Sequence, residues 1–121
     1  MKADRMDYEK LCKEVLDLDP QIRFAGILNS RGDLVIKKYR DDESLLSDDE
    51  MKMSVHYTFE RWNRLQNLEH RLGKEKASIT EYENVTTISL LVNGNLLLLS
   101  TEPGSEYSKI ITRVNSVINS N

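Results

Sequence analysis

The sequence has very little cysteine and no excess of positive charge. Its single cysteine, Cys12, cannot form an internal disulfide, so we expect a reducing compartment and no thiolate metal site. The 17 lysines and arginines are outnumbered by 20 aspartates and glutamates, and the basic residues are scattered along the chain. Nucleic-acid binding needs basic residues clustered on one face, so the sequence argues against nucleic acid as a partner.

Long hydrophobic runs are also missing. The most apolar segment, residues 88–99, is too short to cross a bilayer, and Asn93 and Gly94 interrupt it, so we expect no membrane insertion. The charged first residues lead into no apolar stretch, which argues against a secretory signal and for a cytoplasmic protein. A chain of 121 residues is long enough for one hydrophobic core, and we predict a single domain over residues 1–121.

Recognisable catalytic and metal-binding motifs are absent as well. No serine, cysteine or lysine is accompanied by an evident base partner, no glycine-rich phosphate loop precedes a helix, and no zinc-ligand spacing occurs. The acidic stretch 41–50 does not fit a calcium loop, because Leu45 and Leu46 interrupt it. His56 and His70 are too far apart to share a metal. We therefore predict a protein that is not an enzyme and that has no metal or cofactor.

Amphipathic spacing is the first positive signal. Apolar residues recur every three or four positions over residues 4–18, where Cys12 is expected to pack in the core, and again after Ser105. Between these two predicted helices, Ser47 and Glu50 form a capping box and Gly73 suits a C-terminal cap. The sequence therefore predicts a long central helix between these signals.

Five segments have the character of β-strands, namely residues 22–28, 34–39, 76–82, 85–92 and 95–101. Asn93 and Gly94 favour a two-residue type I′ hairpin between the last two. Their consecutive leucines indicate burial on both faces, whereas basic residues on the second strand and polar residues on the third mark the edges. The pattern predicts an α/β (α+β) fold: an antiparallel sheet in the order 2-1-5-4-3, between the central helix and the terminal helices.

This topology, the hairpins FAGILNSRGDLVIKKY and SLLVNGNLLLLS, and the long central helix carry a family resemblance. The chain resembles the roadblock and dynein light chain family, with its profilin-like and longin-like relatives, over essentially its whole length. The acidic insertion DDESLLSDDE departs from a minimal member, and the chain is also similar to small uncharacterised archaeal proteins. The resemblance implies a non-catalytic homodimeric interaction module that serves as a scaffold or regulator of a small Ras-like GTPase, since family members commonly serve such GTPases or motor and membrane-associated complexes.

Two stripes on the central helix have different expected roles. One is predicted to pack on the sheet: Met51, Val55, Phe59, Trp62 and Leu65. The other contains residue types that are enriched at protein interfaces, and the resemblance implies dimerisation through this helix and the neighbouring edge strand. The predicted dimer interface is therefore Met53, Tyr57, Arg61, Arg64, Leu68, Thr80 and Tyr82. The alternative is that Tyr57 and Leu68 lean onto the chain's own loop or terminal helix.

Leu45 and Leu46 lie between two acidic runs. They either tuck under the domain, which is the favoured interpretation, or contact a partner, so they are candidate partner residues. The second hypothesis for function is a PAS-like small-molecule sensor, which needs a cavity between the sheet and a helix. The sequence shows no unusual cluster of buried polar residues to line such a cavity.

Overall fold

A computed structural model of the chain describes residues 6–42 and 44–121. Residues 4 and 5 of the predicted first helix, and Glu43 of the acidic stretch, lie outside these ranges. The elements are α1 (Tyr8–Leu18), β1 (Ile22–Leu28), β2 (Leu34–Tyr39), α2 (Asp48–Leu65), α3 (Glu69–Leu72), β3 (Ala77–Glu81), β4 (Thr86–Val92), β5 (Asn95–Thr101) and α4 (Tyr107–Asn119).

The five strands form one antiparallel sheet in the order β2-β1-β5-β4-β3, which confirms the predicted order and both predicted edges. The leucine-rich strand β5 lies in the middle, hydrogen-bonded to β1 and β4. Because its consecutive leucines face opposite sides, both faces of the sheet require a helical layer. The terminal helices α1 and α4 cover one face and α2 covers part of the other.

The larger core lies between the sheet and the terminal helices. Leu11 and Val15 of α1 and Ile110 and Val114 of α4 are buried there, against the central strands and Leu97. Each helix presents these residues at the three-to-four spacing that predicted an apolar stripe. The two helices also contact each other, so this side of the sheet is closed by a helical pair.

Cys12 is buried in the same core, as predicted. Burial raises the pKa of its thiol to about 12, since desolvation disfavours the thiolate and nearby Lys38 offsets this only in part. The thiol is therefore protonated at neutral pH and serves as a small apolar group.

The smaller core lies under α2. Val55 and Trp62 are buried against Leu28 and Leu96, and further apolar side chains of α2 and the sheet pack around them. This confirms the stripe predicted to face the sheet. Its remaining members are partly buried: Met51, Phe59 and Leu65.

The structure confirms two short sequence signals, the capping box at the start of α2 and the hairpin turn between β4 and β5. Glu50 N–H donates to Ser47 Oγ at 3.2 Å, and Ser47 N–H donates to Glu50 Oε1 at 2.9 Å, which completes the capping box. Asn93 and Gly94 have φ angles of 49° and 82°, both in the left-handed region that a type I′ hairpin requires. These residues fix the start of α2 and the β4–β5 register.

Four predicted boundaries and the continuity of the central helix differ from the structure. The side chain of Asp7 accepts a hydrogen bond from Lys10 N–H at 3.1 Å, so α1 begins at Tyr8, and residues 6 and 7 of the predicted helix precede it. The central helix is not continuous, since a 3₁₀ turn at Gln66–Leu68 separates α2 from α3. Strands β3 and β4 also begin one residue later than predicted, and β3 ends one residue earlier.

Arg40, directly after β2, ties α1 to the sheet. Its Nε donates to the main-chain oxygen of Ile22 at 2.7 Å, and Nη2 donates to the main-chain oxygens of Asp19, at 3.0 Å, and Leu16. The carbonyls at the end of a helix have no partner within the helix. The guanidinium supplies one, so Arg40 holds the connection from α1 to β1.

Candidate interaction surface

The second stripe of α2 faces outwards. Met53 and Tyr57 are 59% and 69% exposed, and Leu68, in the following turn, is 44% exposed. The chain's own loops and terminal helices therefore do not bury these side chains, contrary to the alternative in which they lean on them. Exposed apolar side chains aligned on one helix face make this stripe a candidate contact surface.

The two arginines beside this stripe differ in their contacts. Arg61 Nη1 lies 2.9 Å from Glu75 Oε2, while Glu75 Oε1 is buried with no hydrogen-bond partner in the described part of the chain. Arg61 therefore pairs with a mostly buried carboxylate of the same chain. Arg64 has an 80% exposed side chain and a long 3.8 Å contact with Glu60, so its charge extends into solvent.

Strand β3 forms the sheet edge next to this helix. It is hydrogen-bonded to β4 alone, so its outer side presents main-chain N–H and C=O groups, the feature by which strands recruit further strands. Thr80 lies within the strand and the exposed Tyr82 lies directly after it, where its N–H donates to Val85 O at 2.8 Å. The edge therefore offers main-chain hydrogen bonding, and its Thr80 and Tyr82 line a groove that Met53 and Tyr57 of α2 also line.

A groove of about 1050 Å³ separates the first part of α2 from β3, β4 and β5. Hydroxyl side chains line its floor because the strand register places Ser78 opposite Ser89, and Thr80 opposite Thr87, on the face towards α2. Ser100 extends the row on β5. Ser78 Oγ and Ser89 Oγ are 2.6 Å apart. The apolar side chains under α2 thus give way to hydroxyl groups in the uncovered part of this face.

The groove brings most of the predicted site together. Leu45 is 72% exposed, so the prediction that it packs under the domain was wrong. Leu46 is partly buried, which agrees with that prediction. The far wall carries Phe24 and Tyr39, with ring centroids 5.1 Å apart. Predicted residues that line the groove are Leu45, Leu46, Met53, Tyr57, Arg61, Thr80 and Tyr82, whereas Arg64 and Leu68 lie further along the helix.

Formal charges in the groove are largely balanced. Arg23 lies 3.4 Å from Glu102, and Arg61 pairs with Glu75 as described above. Among the described residues, no group of three or more histidines, cysteines, aspartates or glutamates is placed to hold a metal ion. His56 and His70 are both exposed, as predicted. The surface is therefore suited to hydrogen bonding and apolar contact.

Sequence reasoning missed four of the five floor hydroxyls. Of this group only Thr80 was singled out, and it was chosen because it marked an edge strand. The alternation of Ser78 and Thr80 with apolar neighbours was a visible signal, repeated by Thr87 and Ser89. Whether this alternation means hydroxyl groups under a helix or in an open groove depends on how far α2 extends across the sheet.

Comparisons with known proteins agree with this architecture. The chain matches the family of unknown function DUF6659 over residues 2–120. No curated protein sequence matches it. Within the described residues, no helix is both long and apolar enough to cross a membrane.

Several solved structures have the same fold as this chain. A Roadblock/LC7 domain from Streptomyces avermitilis superposes with a TM-score of 0.72 at 12% identity, covering 95% of this chain and 94% of that one. The gliding protein MglB from Thermus thermophilus gives 0.72 at 12% identity, with 90% and 81% covered. An MglB with a tetrameric arrangement gives 0.73 at 13% identity, with 92% and 82% covered.

At such identities the likeness concerns the fold, and it confirms the roadblock resemblance at that level. The match to the family, by contrast, spans nearly the entire sequence. The chain has the Roadblock/LC7 fold and belongs to the DUF6659 family.

Proposed function

We propose that the chain is a non-catalytic homodimeric protein-interaction module in which residues 1–121 act as one domain. The observation that carries this proposal is the exposed stripe of α2 beside the free edge of β3. The proposed interface is the predicted set: Met53, Tyr57, Arg61, Arg64, Leu68, Thr80 and Tyr82. Leu45 and Leu46 are proposed as additional contacts at the rim.

Main-chain hydrogen bonding and apolar burial can act together at this surface. Strand β3 can pair through its main chain with β3 of a second copy, while Met53 and Tyr57 leave water. A two-fold axis beside both elements lets the same patch serve on each subunit, which is how most homodimers close. The MglB with a tetrameric arrangement supports self-association on this fold.

The partner beyond the dimer is proposed from the roadblock resemblance. Members of that family commonly serve small Ras-like GTPases, and the fold agrees with the resemblance. We propose a small GTPase as the partner and a scaffolding or regulatory role for the dimer. A dimer through α2 and β3 leaves the outer surfaces of α1 and α4 available for such a protein.

The test is the solution mass over a dilution series. We expect the native chain to scatter light at twice its 14.0 kDa mass at micromolar concentration. The double variant Tyr57→Glu with Leu68→Glu is expected to be a folded monomer, because two charges would have to be desolvated in the interface.

Val35→Glu is the matched control. Val35 is 55% exposed on β2, at the opposite edge of the sheet, so this variant is expected to remain dimeric. A native chain that is monomeric at micromolar concentration would count against the dimeric module. If the Val35→Glu variant also dissociates, the interface lies at the β2 edge of the sheet and not at the β3 edge.

The groove supports a second candidate function, the PAS-like sensor. None of the five hydroxyl residues on its floor is buried, but their side chains line the open groove and offer hydrogen bonds to a ligand. A space of about 1050 Å³ with hydrogen-bonding groups and an aromatic wall is of the size that holds small ligands.

Native mass spectrometry of protein purified from its own cells separates the two candidates. The sensor hypothesis predicts a subunit carrying extra mass, which Ser89→Leu removes by filling the floor of the groove. The interaction-module hypothesis predicts a dimer of bare subunits. Bare subunits that do not dimerise would disfavour both.

A further inference from the structure

The acidic insertion at residues 41–50 borders the groove between α2 and the sheet. Leu45 and Leu46 of its loop and Glu50 of the first turn of α2 line this space. Glu83, in the turn between β3 and β4, lines it from the side of the sheet. Carboxylates therefore border the groove on both of its sides.

The carboxylates of Glu50 and Glu83 differ from the other two at the groove, those of Glu75 and Glu102, which are paired with arginines. Within residues 6–42 and 44–121, neither Glu50 nor Glu83 forms an ion pair, and both residues are exposed. The two residues that precede Glu50 in α2 are exposed aspartates. Unbalanced negative charge at a groove attracts positively charged groups and repels anionic ones.

Apolar surface lies next to these carboxylates. Leu45 is largely exposed, so it offers apolar area that its own chain does not cover. The far wall is aromatic, and its Phe24 ring lies against the backbone of Gly26, where an added Cβ would come within 2.7 Å of the ring. Because Gly26 leaves this space to the ring, the wall formed by Phe24 and Tyr39 is held against the sheet. The groove therefore combines negative charge with a fixed apolar surface.

The strand register gives the floor of the groove a direction. Thr87 of β4 lies opposite Ser100 of β5, Ser100 lies opposite Phe24 of β1, and Phe24 lies opposite Tyr39 of β2. Neighbouring strands are about 4.8 Å apart, so this row is about 14 Å long, the length of about four extended residues. Hydroxyl groups both donate and accept hydrogen bonds, as the main chain of a peptide requires. The row changes from hydroxyl to aromatic along its length.

We propose that this groove binds a positively charged peptide segment of a partner protein. An apolar side chain of the segment lies between Leu45 and the aromatic wall, and lysines or arginines beside it lie near Glu50 and Glu83. The inference goes beyond the proposed homodimer, since Phe24, Glu50 and Glu83 are outside the proposed dimer interface.

Selection from a phage-displayed library of random twelve-residue peptides on the native chain is the first test. We expect enriched sequences to carry at least two lysines or arginines beside an aromatic or aliphatic residue. A synthetic, fluorescein-labelled copy of the most enriched peptide then serves as the probe. Its dissociation constant is measured by fluorescence anisotropy at low salt, where electrostatic attraction is least screened.

The double variant Glu50→Gln with Glu83→Gln is expected to raise the dissociation constant of this probe at least tenfold, because both unpaired charges are lost. The amide oxygen introduced at residue 50 still accepts from Ser47 N–H, so the capping box and the fold are expected to persist. Leu45→Ser is expected to weaken binding as well, by removing an apolar contact from an exposed side chain.

Glu14→Gln with Asp17→Asn is the matched control. It removes the same two charges from α1, which covers the opposite face of the sheet, and is expected to change the dissociation constant less than twofold. Equal weakening by the two double variants would mean diffuse attraction to an acidic protein and would overturn the inference.

Two further outcomes also overturn it: enriched peptides that lack basic residues, and no enrichment over the uncoated support. Light scattering tests the homodimer separately. A monomeric chain that binds the probe through Glu50 and Glu83 would reject the dimer and support this inference. A dimer that selects no basic peptide would do the reverse.

Discussion

Leu97→Ala is expected to lower the free energy of unfolding by about 2–5 kcal/mol. Leu97 is 0% exposed in the central strand β5, between Ile27 of β1 and Leu90 of β4. Truncation removes apolar contacts and leaves a cavity that the two neighbouring strands cannot close without breaking their own register. Urea denaturation at one fixed protein concentration measures the loss, because self-association would otherwise shift the transition.

Leu72→Ala is the matched control, with the same atoms removed from a side chain that is 76% exposed at the end of α3. It is expected to change stability by no more than about 0.5 kcal/mol. If the two variants lost similar stability, the placement of β5 at the centre of the sheet would be wrong.

Arg40→Ala is expected to cost about 2–4 kcal/mol of stability, because three main-chain oxygens lose a charged donor at once. The oxygens belong to Leu16, Asp19 and Ile22, so the loss falls on the junction between α1 and β1. Arg40→Lys is expected to recover only part of it, since an ammonium group cannot reproduce the planar fork of the guanidinium. Faster amide hydrogen exchange in α1 provides a local measurement of the same effect.

Arg31→Ala controls for the removal of an arginine. The Arg31 side chain is 82% exposed and lies 4.0 Å from Asp33, so its loss is expected to stay within about 0.5 kcal/mol. An Arg40→Ala variant as stable as Arg31→Ala would show that solvent replaces the guanidinium at all three oxygens.

The sheet and its order were predictable because local chemistry and global position agree. The leucines of β4 and β5 require two covered faces, the Asn93–Gly94 pair requires a tight hairpin, and Ser47 with Glu50 requires a helix start. Each of these features depends on residues adjacent in sequence. They therefore specify the elements without knowledge of the tertiary arrangement.

What escaped prediction depends on residues that only the fold brings together. Arg40 directly follows the second predicted strand, and its helix-capping role requires knowing that β2 ends beside the end of α1. The hydroxyl floor escaped for a similar reason, since Ser78 and Ser89 meet only through the β3–β4 register. The exposed side chains of Met53 and Tyr57 were predictable because an apolar stripe with no partner is visible within a single helix.

The two edges of the sheet differ, and the difference bears on how far assembly can grow. In β2, Val35 is an extra residue that bulges from the ladder with β1, and Lys37 and Lys38 follow it, with Lys38 bound to Glu9 at 3.2 Å. In natural sheets, bulges and lysines on an edge strand prevent pairing with another strand. Since only the β3 edge can accept another strand and the β2 edge cannot, copies cannot add head to tail into a fibre. In the proposed dimer, pairing through β3 would occupy the receptive edge of both copies and leave none for a third.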